Sequence, residues 1–332
     1  MKTRIHLLFL SGAALLSSSA GNAQSGAVLT GAGYSKPAPF LVAPGQLMTL
    51  FFRGIAPLPD GSLRAGDAKV TPLPNTLAGL SLSVSQTGLN GPLQVPLVSV
   101  RQERECDAAP PDCYLTSVRL QVPFEVAASV LGPGGFNAPD AEIKVTTDGQ
   151  PSRSFAIRPV SANTHVLTSC DISDDRNPDS VCNRAAYHSD GRPVDANAPA
   201  SRGESIVIYA FGLGQTTPAA RTGESAIAGL SVLDPGQPRL IVTLTDKFLN
   251  ASASVPRQFL TQPVNPTPAK IDFAGLTPGQ IGAYQMNVPI PSSFETPVAC
   301  RLSGPDPAVR SNGFVTVTTA QGAENVPICV AQ

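Results

Sequence analysis

The residues that come closest to a metal site form an oxygen-rich loop between two cysteines. Five such side chains fall between Cys170 and Cys182: Asp171, Asp174, Asp175, Asn177 and Asp179. Calcium takes about six to eight oxygen ligands, so this loop could supply several of them. The spacing departs from an EF-hand loop, which needs acids at alternate positions, a glycine sixth and a glutamate twelfth. A solvated interdomain loop is therefore the favoured interpretation, with calcium binding as the weaker hypothesis and no other cofactor predicted.

Histidine and hydroxyl side chains give little support for catalysis. His188, Ser189 and Asp190 are adjacent in the chain, whereas the members of a catalytic triad come together from separate elements. The following Asp190-Gly191 is instead typical of a turn. His165 lies among polar residues before a strand, where an exposed or capping role is favoured.

Sequence motifs of catalysis are also missing. The chain contains no GxSxG, HExxH, P-loop or GxGxxG sequence, and the pair of glycines in Gly212-Leu-Gly214 predicts a turn. The sequence therefore predicts no catalytic residue and no enzyme, with an unrecognised extracellular hydrolase as the weakest alternative.

Two kinds of binding partner can be weighed from composition. Nucleic acid is disfavoured by a net charge of −1 and the lack of basic clusters. Sugars are commonly bound by aromatic faces, and the chain has no tryptophan and only five tyrosines. A carbohydrate- or matrix-binding role is therefore an alternative rather than the leading prediction, and Tyr187 and Tyr209 are the residues through which it would be tested.

The glycine and proline content indicates which elements position these residues. The chain has 332 residues, of which 29 are glycine and 33 are proline, well above average usage. Charged residues make up 14% and apolar residues 42%. A disordered chain would be less apolar, and a helical bundle would not tolerate so many breakers. Many short strands joined by glycine and proline turns are expected.

The first 23 residues have the features of a secretory signal peptide. Lys2 and Arg4 precede an apolar stretch over residues 5–16, and a run of small residues follows. Cleavage is expected after Ala23 or Ala20. The apolar run is shorter than the roughly 20 residues of a membrane span, so we predict a secreted protein, periplasmic or extracellular, without a membrane anchor.

Six cysteines agree with export. Their spacing favours pairing between neighbours, which gives the bridges Cys106–Cys113, Cys170–Cys182 and Cys300–Cys329. Zinc binding is the rival explanation, but no pair has CxxC spacing and the mature chain keeps only two histidines. Disulfides are therefore predicted.

The chain contains matching segments in the same order in its two halves. Residues 45–54 match residues 203–212, with glycines at both ends and the same apolar alternation. A second match pairs Val122-Pro123 with Val288-Pro289, and a third pairs residues 152–157 with 311–316, so that Phe155 falls on Phe314. Three matches in order predict an internal duplication.

Each half reads as short strands with period-2 alternation. The predicted strands are 46–53, 78–85, 94–102, 114–122, 141–147 and 154–160 in the first half, and 204–211, 239–246, 269–274, 281–288, 297–302 and 313–319 in the second. Long helical segments are missing, so an all-β fold of two tandem immunoglobulin-like β-sandwich domains is predicted. The predicted core residues are Leu50, Phe52, Leu120 and Val122 in the first half, and Ile206, Ile208, Met286 and Val288 in the second.

Longer strings of sequence resemble a known family. The segments 31–46, 186–218 and 274–289 are similar to the uncharacterised C-terminal domain family known as Solibacter-type, whose units resemble IPT/TIG immunoglobulin-like domains. The resemblance implies a pair of exported sandwiches and no known activity. The chain departs from the family pattern in its three predicted disulfides and in longer insertions near 56–75 and 247–268.

Together these observations predict an organisation and a class of function. The expected parts are a signal peptide over 1–23, a first sandwich domain over 24–160 and a second over 161–332, in which 161–186 is an acidic connector closed by a disulfide. The expected function is that of a secreted, non-enzymatic structural or interaction module, with an extracellular protein or a glycan as partner.

Overall fold

A computed structural model describes most of the chain after its first 25 residues. The described residues are 26–32, 40–106, 113–128, 130–132, 135–137, 141–173, 182–227, 232–233, 241–245, 267–294, 299–300, 311–319 and 322–332. The predicted signal peptide and the oxygen ligands Asp174, Asp175, Asn177 and Asp179 lie outside them. Within the described residues, no helix has the length and apolar character needed to cross a membrane.

Short strands with alternating burial dominate the first half of the described chain. The seven residues Leu80–Gln86 show the pattern plainly, because the leucines and valine are buried, the serines between them are not, and the buried Gln86 continues the alternation. The strands are β1 (Val28–Ala32), β2 (Phe40–Val42), β3 (Leu47–Arg53), β4 (Ala65–Asp67), β5 (Thr76–Leu77), β6 (Leu80–Gln86), β7 (Leu93–Val95), β8 (Leu97–Arg104), β9 (Tyr114–Gln121), β10 (Val130–Gly132), β11 (Gly135–Asn137), β12 (Ala141–Thr147) and β13 (Gln150–Pro159).

The second half continues the pattern and adds one short helix, α1 (Ser169–Ser173). Its strands are β14 (His165–Val166), β15 (Ser205–Phe211), β16 (Thr216–Thr217), β17 (Val232–Leu233), β18 (Ile241–Thr245), β19 (Thr267–Pro268), β20 (Phe273–Leu276), β21 (Ala283–Pro289), β22 (Gly313–Thr319) and β23 (Gly322–Ile328).

The first-half strands form a β-sandwich, called here the first sandwich. One sheet has the order β1-β3-β9-β8-β4, and the other has the order β2-β13-β12-β6-β5 with β7 beside β6. Strand β2 runs parallel to β13, while the neighbours within both sheets are otherwise antiparallel. This arrangement corresponds to the A-B-E-D and C-F-G sheets of the immunoglobulin fold.

Strands β14–β23 form a second sandwich with the same plan. Its sheets have the orders β14-β15-β21-β20-β17-β16 and β19-β18-β22-β23. A parallel bridge between Ala200 and Val330 takes the place of the parallel β2–β13 pairing. The chain is thus all-β, with two tandem immunoglobulin-like sandwiches, as predicted.

Each sandwich has its own apolar core. Leu50, Phe52, Leu120 and Val122 are buried in the first core, and Ile206, Ile208, Met286 and Val288 are buried in the second. These eight predicted core positions are therefore confirmed. They follow from alternation alone, since every second residue of a strand faces the opposing sheet.

Two of the predicted sequence matches pair residues that are not structurally equivalent. Gly45 N donates to Val122 O, whereas Gly203 N donates to Ile290 O, so Val122-Pro123 corresponds to Ile290-Pro291 rather than to Val288-Pro289. The error is a slip of two residues, which period-2 alternation permits because it keeps each side chain on the same face.

The third match also pairs non-equivalent strands. Phe155 lies in β13, the last strand of the first sandwich. Phe314 lies in β22, which corresponds to β12 by its place in the strand order. The shared strand order is compatible with the predicted duplication, which stays a prediction.

Some strand boundaries differ from the prediction. Strand β20 covers 273–276 instead of 269–274, and Ala299 and Cys300, the described part of the predicted strand 297–302, are not in a strand. Strand β23 was not predicted, because Pro327 and the polar residues before it interrupt the apolar alternation. Proline is compatible with an edge strand, where one backbone N–H has no ladder partner to bond.

All three predicted disulfides are present. They join Cys106 to Cys113, Cys170 to Cys182 and Cys300 to Cys329.

Candidate functional site

The acidic connector begins with a capped helical turn. Thr168 N donates to Asp171 Oδ2 at 2.7 Å, and Asp171 N donates back to Thr168 Oγ1 at 3.3 Å. This reciprocal pair is a capping box in which aspartate replaces the usual glutamate. It satisfies backbone donors at the start of α1. Asp171 Oδ2 also accepts from the Thr168 hydroxyl, so this oxygen has a structural role. Calcium binding stays a prediction. It would depend mainly on the other four predicted ligands, Asp174, Asp175, Asn177 and Asp179.

His165 joins the capped turn to the last strand. Its Nε2 lies 3.1 Å from Asp171 Oδ2, and its Nδ1 lies 3.9 Å from Glu324 Oε1 on β23. Glu324 also accepts from Val166 N at 2.5 Å and from Arg184 Nη2 at 3.0 Å. The two carboxylates approach opposite ring nitrogens, so they cannot converge with the ring on one metal ion. The cluster instead fastens the connector to β23.

A shallow cavity of about 180 Å³ lies beside this cluster. It is lined by Ser169, Asn183, Arg184, Ala185, Pro193, Val194, Asp195, Ala196, Ser311, Pro327, Ile328 and Cys329. Within the described residues, no group of three or more histidine, cysteine, aspartate and glutamate side chains is arranged to hold a metal ion.

His188 joins the loop that follows the connector to the turn before β15. Its Nε2 lies 3.0 Å from Ala198 O and its Nδ1 is in close contact with Glu204 Oε1. Both partners are hydrogen-bond acceptors, so this geometry favours the ring form in which both nitrogens are protonated. Burial alone would lower the pKa of His188, but the Ala198 carbonyl and the Glu204 carboxylate outweigh it and the pKa is raised.

Asp190 forms its hydrogen bonds with Arg192 rather than with His188. Its carboxylate accepts from Arg192 N at 3.1 Å and from Arg192 Nε at 2.7 Å, within an exposed turn that Gly191 closes. The structure therefore confirms a turn at Asp190-Gly191. Of the two roles predicted for His165, exposed or capping, the exposed one is wrong because that residue is 6% exposed, whereas its contact with Asp171 places it beside the helix cap.

Gly212 and Gly214 lie where the backbone between the sandwiches crosses the second one. Both have positive φ, and a Cβ at these positions would lie 2.1 Å from Asn163 O and 2.0 Å from Ser161 O. Residues 212–214 do not form a turn, so the turn predicted there is wrong, and the two glycines instead mark a close approach of two backbone segments. Glycine is required because the crossing backbone leaves no room for a side chain.

Polar contacts fix the two sandwiches to each other at a surface called here the junction. Phe124 N donates to Thr222 Oγ1 at 2.8 Å, and the Thr222 hydroxyl donates to Glu125 Oε2 at 2.6 Å. Gly223 N donates to the buried Gln121 Oε1 at 2.7 Å. Residues of the first sandwich and of the second thus alternate as donors and acceptors.

Apolar contacts reinforce the junction. Phe124 follows the last residues of β9, yet its side chain is buried in the core of the second sandwich. Leu47 of β3 packs with Leu167 and Phe211 in a separate small cluster. The Arg119 guanidinium lies 5.8 Å from the centre of the Phe211 ring, close enough for a cation–π contact.

Tyr187 and Tyr209 form an aromatic pair on the side of β15 that faces away from the core, where Tyr209 also packs against the cluster of Leu47, Leu167 and Phe211. Their ring centres are 5.7 Å apart and the planes are tilted by 52°. Both side chains are half-buried. Burial raises the pKa of Tyr187, and the neighbouring Tyr209 raises it further, so the phenol stays neutral.

Sequence reasoning found some of these residues and missed others. It selected Asp171, His165, His188 and both tyrosines for their type, but not the partners that determine their roles. The junction residues carry no local signal, since Phe124 and Thr222 are 98 positions apart. The capping box at Thr168 did carry a signal, because threonine followed by an acid three residues later is typical of a helix start.

Known proteins show few similarities to this chain. No protein-family model matches the chain, and no curated protein matches it. Among solved structures, the chain is similar to adhesin InvE of Yersinia pseudotuberculosis, with 14% identity over 92% of this chain and 59% of that one, at a TM-score of 0.21. It is also similar to the titin fragment A168169, with 12% identity over 88% of this chain and 94% of that one, at a TM-score of 0.19. The fold assignment rests on the strand orders rather than on these likenesses.

Proposed function

We propose that the chain is a secreted, non-enzymatic module in which two immunoglobulin-like sandwiches act as one rigid body. Such a body would space or present binding surfaces in the extracellular space or the cell envelope. The observation that carries the proposal is the junction, where Phe124 of the first sandwich completes the core of the second. Freely jointed domains have no such shared core, and their relative motion is the default expectation.

The arrangement of the polar side chains supports a role without catalysis. His165 and His188 are each held by acceptors that fasten the connector and the loop that follows it, and Asp171 caps a helix. A general acid or base needs access to a substrate proton, whereas these groups are turned inward. The hydrolase alternative predicts turnover on a panel of esters and glycosides, and we expect none.

The disulfides support the proposed location. Disulfides persist in oxidising compartments and are rare in the cytosol, and the described cysteines are all paired. Together with the predicted signal peptide this favours secretion. Mass spectrometry of the secreted protein would find its N-terminus near residue 21 or 24 if cleavage follows Ala20 or Ala23.

The rigid-body proposal is tested by measuring how the two sandwiches tumble. We expect NMR relaxation of the mature chain to give one rotational correlation time for both sandwiches, and X-ray scattering to fit a single shape. Phe124→Ala combined with Thr222→Ala should shorten the correlation times and broaden the distribution of shapes.

The matched control is Phe294→Ala. Phe294 and Phe124 are buried to similar extents in the same core, but Phe294 belongs to the second sandwich. This control should lower stability without separating the sandwiches. Independent tumbling of the wild-type sandwiches would overturn the proposal.

A further inference from the structure

The outer face of the second sandwich carries an ordered set of aromatic and amide side chains. In β15 and β21 the core side is occupied by Ile206, Ile208 and Met286, so the alternate residues point to the opposite face. The register there defines two rows of cross-strand neighbours. The first row is Tyr187, Val207, Asn287 and Phe273, and the second is Tyr209, Gln285 and Gly275.

Five of these side chains form the outer layer, which we call the amide–aromatic face: Tyr187, Tyr209, Phe273, Gln285 and Asn287. All five are half-buried, whereas Val207 beneath them is 7% exposed. Val207 and Gly275 belong to the same two rows and are themselves buried. The face therefore presents ring surfaces and amides on a strand-supported platform.

The two amides are oriented by each other. Gln285 Nε2 donates to Asn287 Oδ1 at 2.9 Å. A carboxamide has two N–H donors and an oxygen with two lone pairs, so one mutual bond leaves the pair with further donors and acceptors. Such a pair can bind a partner that both donates and accepts hydrogen bonds, as a hydroxyl group does.

The face is electrically neutral. None of its five side chains is ionised at physiological pH, and burial keeps the Tyr187 phenol protonated by raising its pKa. Lys270 and Asp272 precede Phe273 in the chain. Lys270 Nζ lies 3.1 Å from Asp272 Oδ1, so the two charges cancel. Charge complementarity therefore disfavours an ionic partner and favours an uncharged one.

We propose that the amide–aromatic face binds a neutral glycan. The C–H faces of sugar rings would stack on Tyr209, Tyr187 and Phe273, while sugar hydroxyls would bond to Gln285 and Asn287. The inference names a partner for the non-enzymatic module proposed above and rests on that proposal. Aromatic rings suit the C–H faces of a sugar, and amides suit its hydroxyl groups, which both donate and accept hydrogen bonds. A protein partner would instead leave every neutral polymer without effect.

Affinity electrophoresis of the mature chain tests the proposal. The gels contain dextran, mannan or hydroxyethylcellulose as neutral probes, and alginate as an anionic one. We expect retardation by at least one neutral polymer and none by alginate. Tyr209→Ala and the double variant Gln285→Ala/Asn287→Ala should each weaken the retarding interaction by about tenfold or more, the loss expected for a central contact residue.

The matched control is Tyr114→Ala, a half-buried tyrosine on β9 of the first sandwich that should leave retardation unchanged. If Tyr209→Ala does not fold, the double amide variant decides, since its side chains lie in the outer layer. The proposal is overturned if no neutral polymer retards the folded chain, if alginate binds more tightly, or if Tyr114→Ala has the same effect. NMR relaxation of the same samples tests separately whether the two sandwiches tumble as one rigid body.

Discussion

The two sandwiches close the same turn with different side chains. Before β3, Ala43 N donates to Gln46 Oε1 at 2.8 Å, and before β15, Ser201 N donates to Glu204 Oε2 at 2.8 Å. The backbone solution is identical, but the second acceptor differs in charge. A neutral amide serves the first turn and a carboxylate serves the second.

That difference decides what each turn can hold. Gln46 Oε1 also accepts from Asn163 Nδ2 at 3.2 Å, which ties the turn to the backbone between the sandwiches. Glu204 instead pairs with His188 and so holds the loop over 187–198. The same turn thus serves a neutral contact in one sandwich and a titratable contact in the other, and only the second depends on pH.

The largest expected contrast between the sandwiches comes from Arg64. Its side chain is fully buried in the first sandwich, where it donates to the carbonyls of Ala56, Pro57 and Ala78 and to Asp148. Arg64→Ala leaves three carbonyls without their donor and opens a cavity. We expect a loss of about 3–5 kcal/mol in the stability of the first sandwich, measured by hydrogen exchange in denaturant.

The matched variant in the second sandwich is Tyr284→Phe. Tyr284 is also fully buried, but its hydroxyl makes one bond, to Gly214 O. Burial raises the pKa of Tyr284, so the hydroxyl remains a donor. This variant should cost about 1–2 kcal/mol. A loss from Tyr284→Phe that equals the loss from Arg64→Ala would contradict this ranking of the two buried polar groups.

The disulfides give the next contrast. Cys300–Cys329 closes a separation of 29 residues and Cys106–Cys113 a separation of 7. Loop entropy therefore predicts a loss of about 3–4 kcal/mol for Cys300→Ser/Cys329→Ser and about 2 kcal/mol for Cys106→Ser/Cys113→Ser. Thermal unfolding of the two double variants measures the difference, and equal losses would show that loop length does not govern these bridges.

The ion pair at Glu204 predicts a pH dependence confined to the second sandwich. The pKa of His188 is raised above 6.5, so its stabilising contribution is complete below that pH and is lost as pH rises through the folded-state pKa. We expect the second sandwich to lose about 1–2 kcal/mol on going to alkaline pH, while the Gln46 turn is unaffected.

Glu204→Gln should remove this dependence, because the amide keeps the turn but not the charge. Hydrogen exchange at several pH values, resolved by sandwich, measures both effects. An unchanged pH profile in Glu204→Gln would exclude the ion pair as the cause.

Local pattern was enough to predict the long strands and the core. Alternation in β3, β9, β15 and β21 places their apolar residues correctly, because the period of a strand is fixed by its geometry. Alternation could not distinguish a register from one shifted by two residues. The sequence match therefore paired Pro123 with Pro289 instead of Pro291. Registers are determined by partner strands, which local pattern does not contain.

The polar contacts could not be predicted because they join distant positions. Arg64 and Asp148 are 84 residues apart, and His188 and Glu204 meet through loops outside the regular elements. The amide–aromatic face could be anticipated only in part, since Tyr187 and Tyr209 can be selected from the sequence, whereas Gln285 and Phe273 are placed beside them only by pairing between β15, β21 and β20.

The smallest expected effect concerns the connector, which the first sandwich lacks. Thr168→Ala removes one half of the capping box and should cost about 1 kcal/mol of local stability, the usual cost of losing a helix cap. Faster hydrogen exchange should be confined to residues 165–171, since His165 still fastens to Glu324 from the other side. Spread of the effect into β15 would mean that the cap supports the sandwich itself.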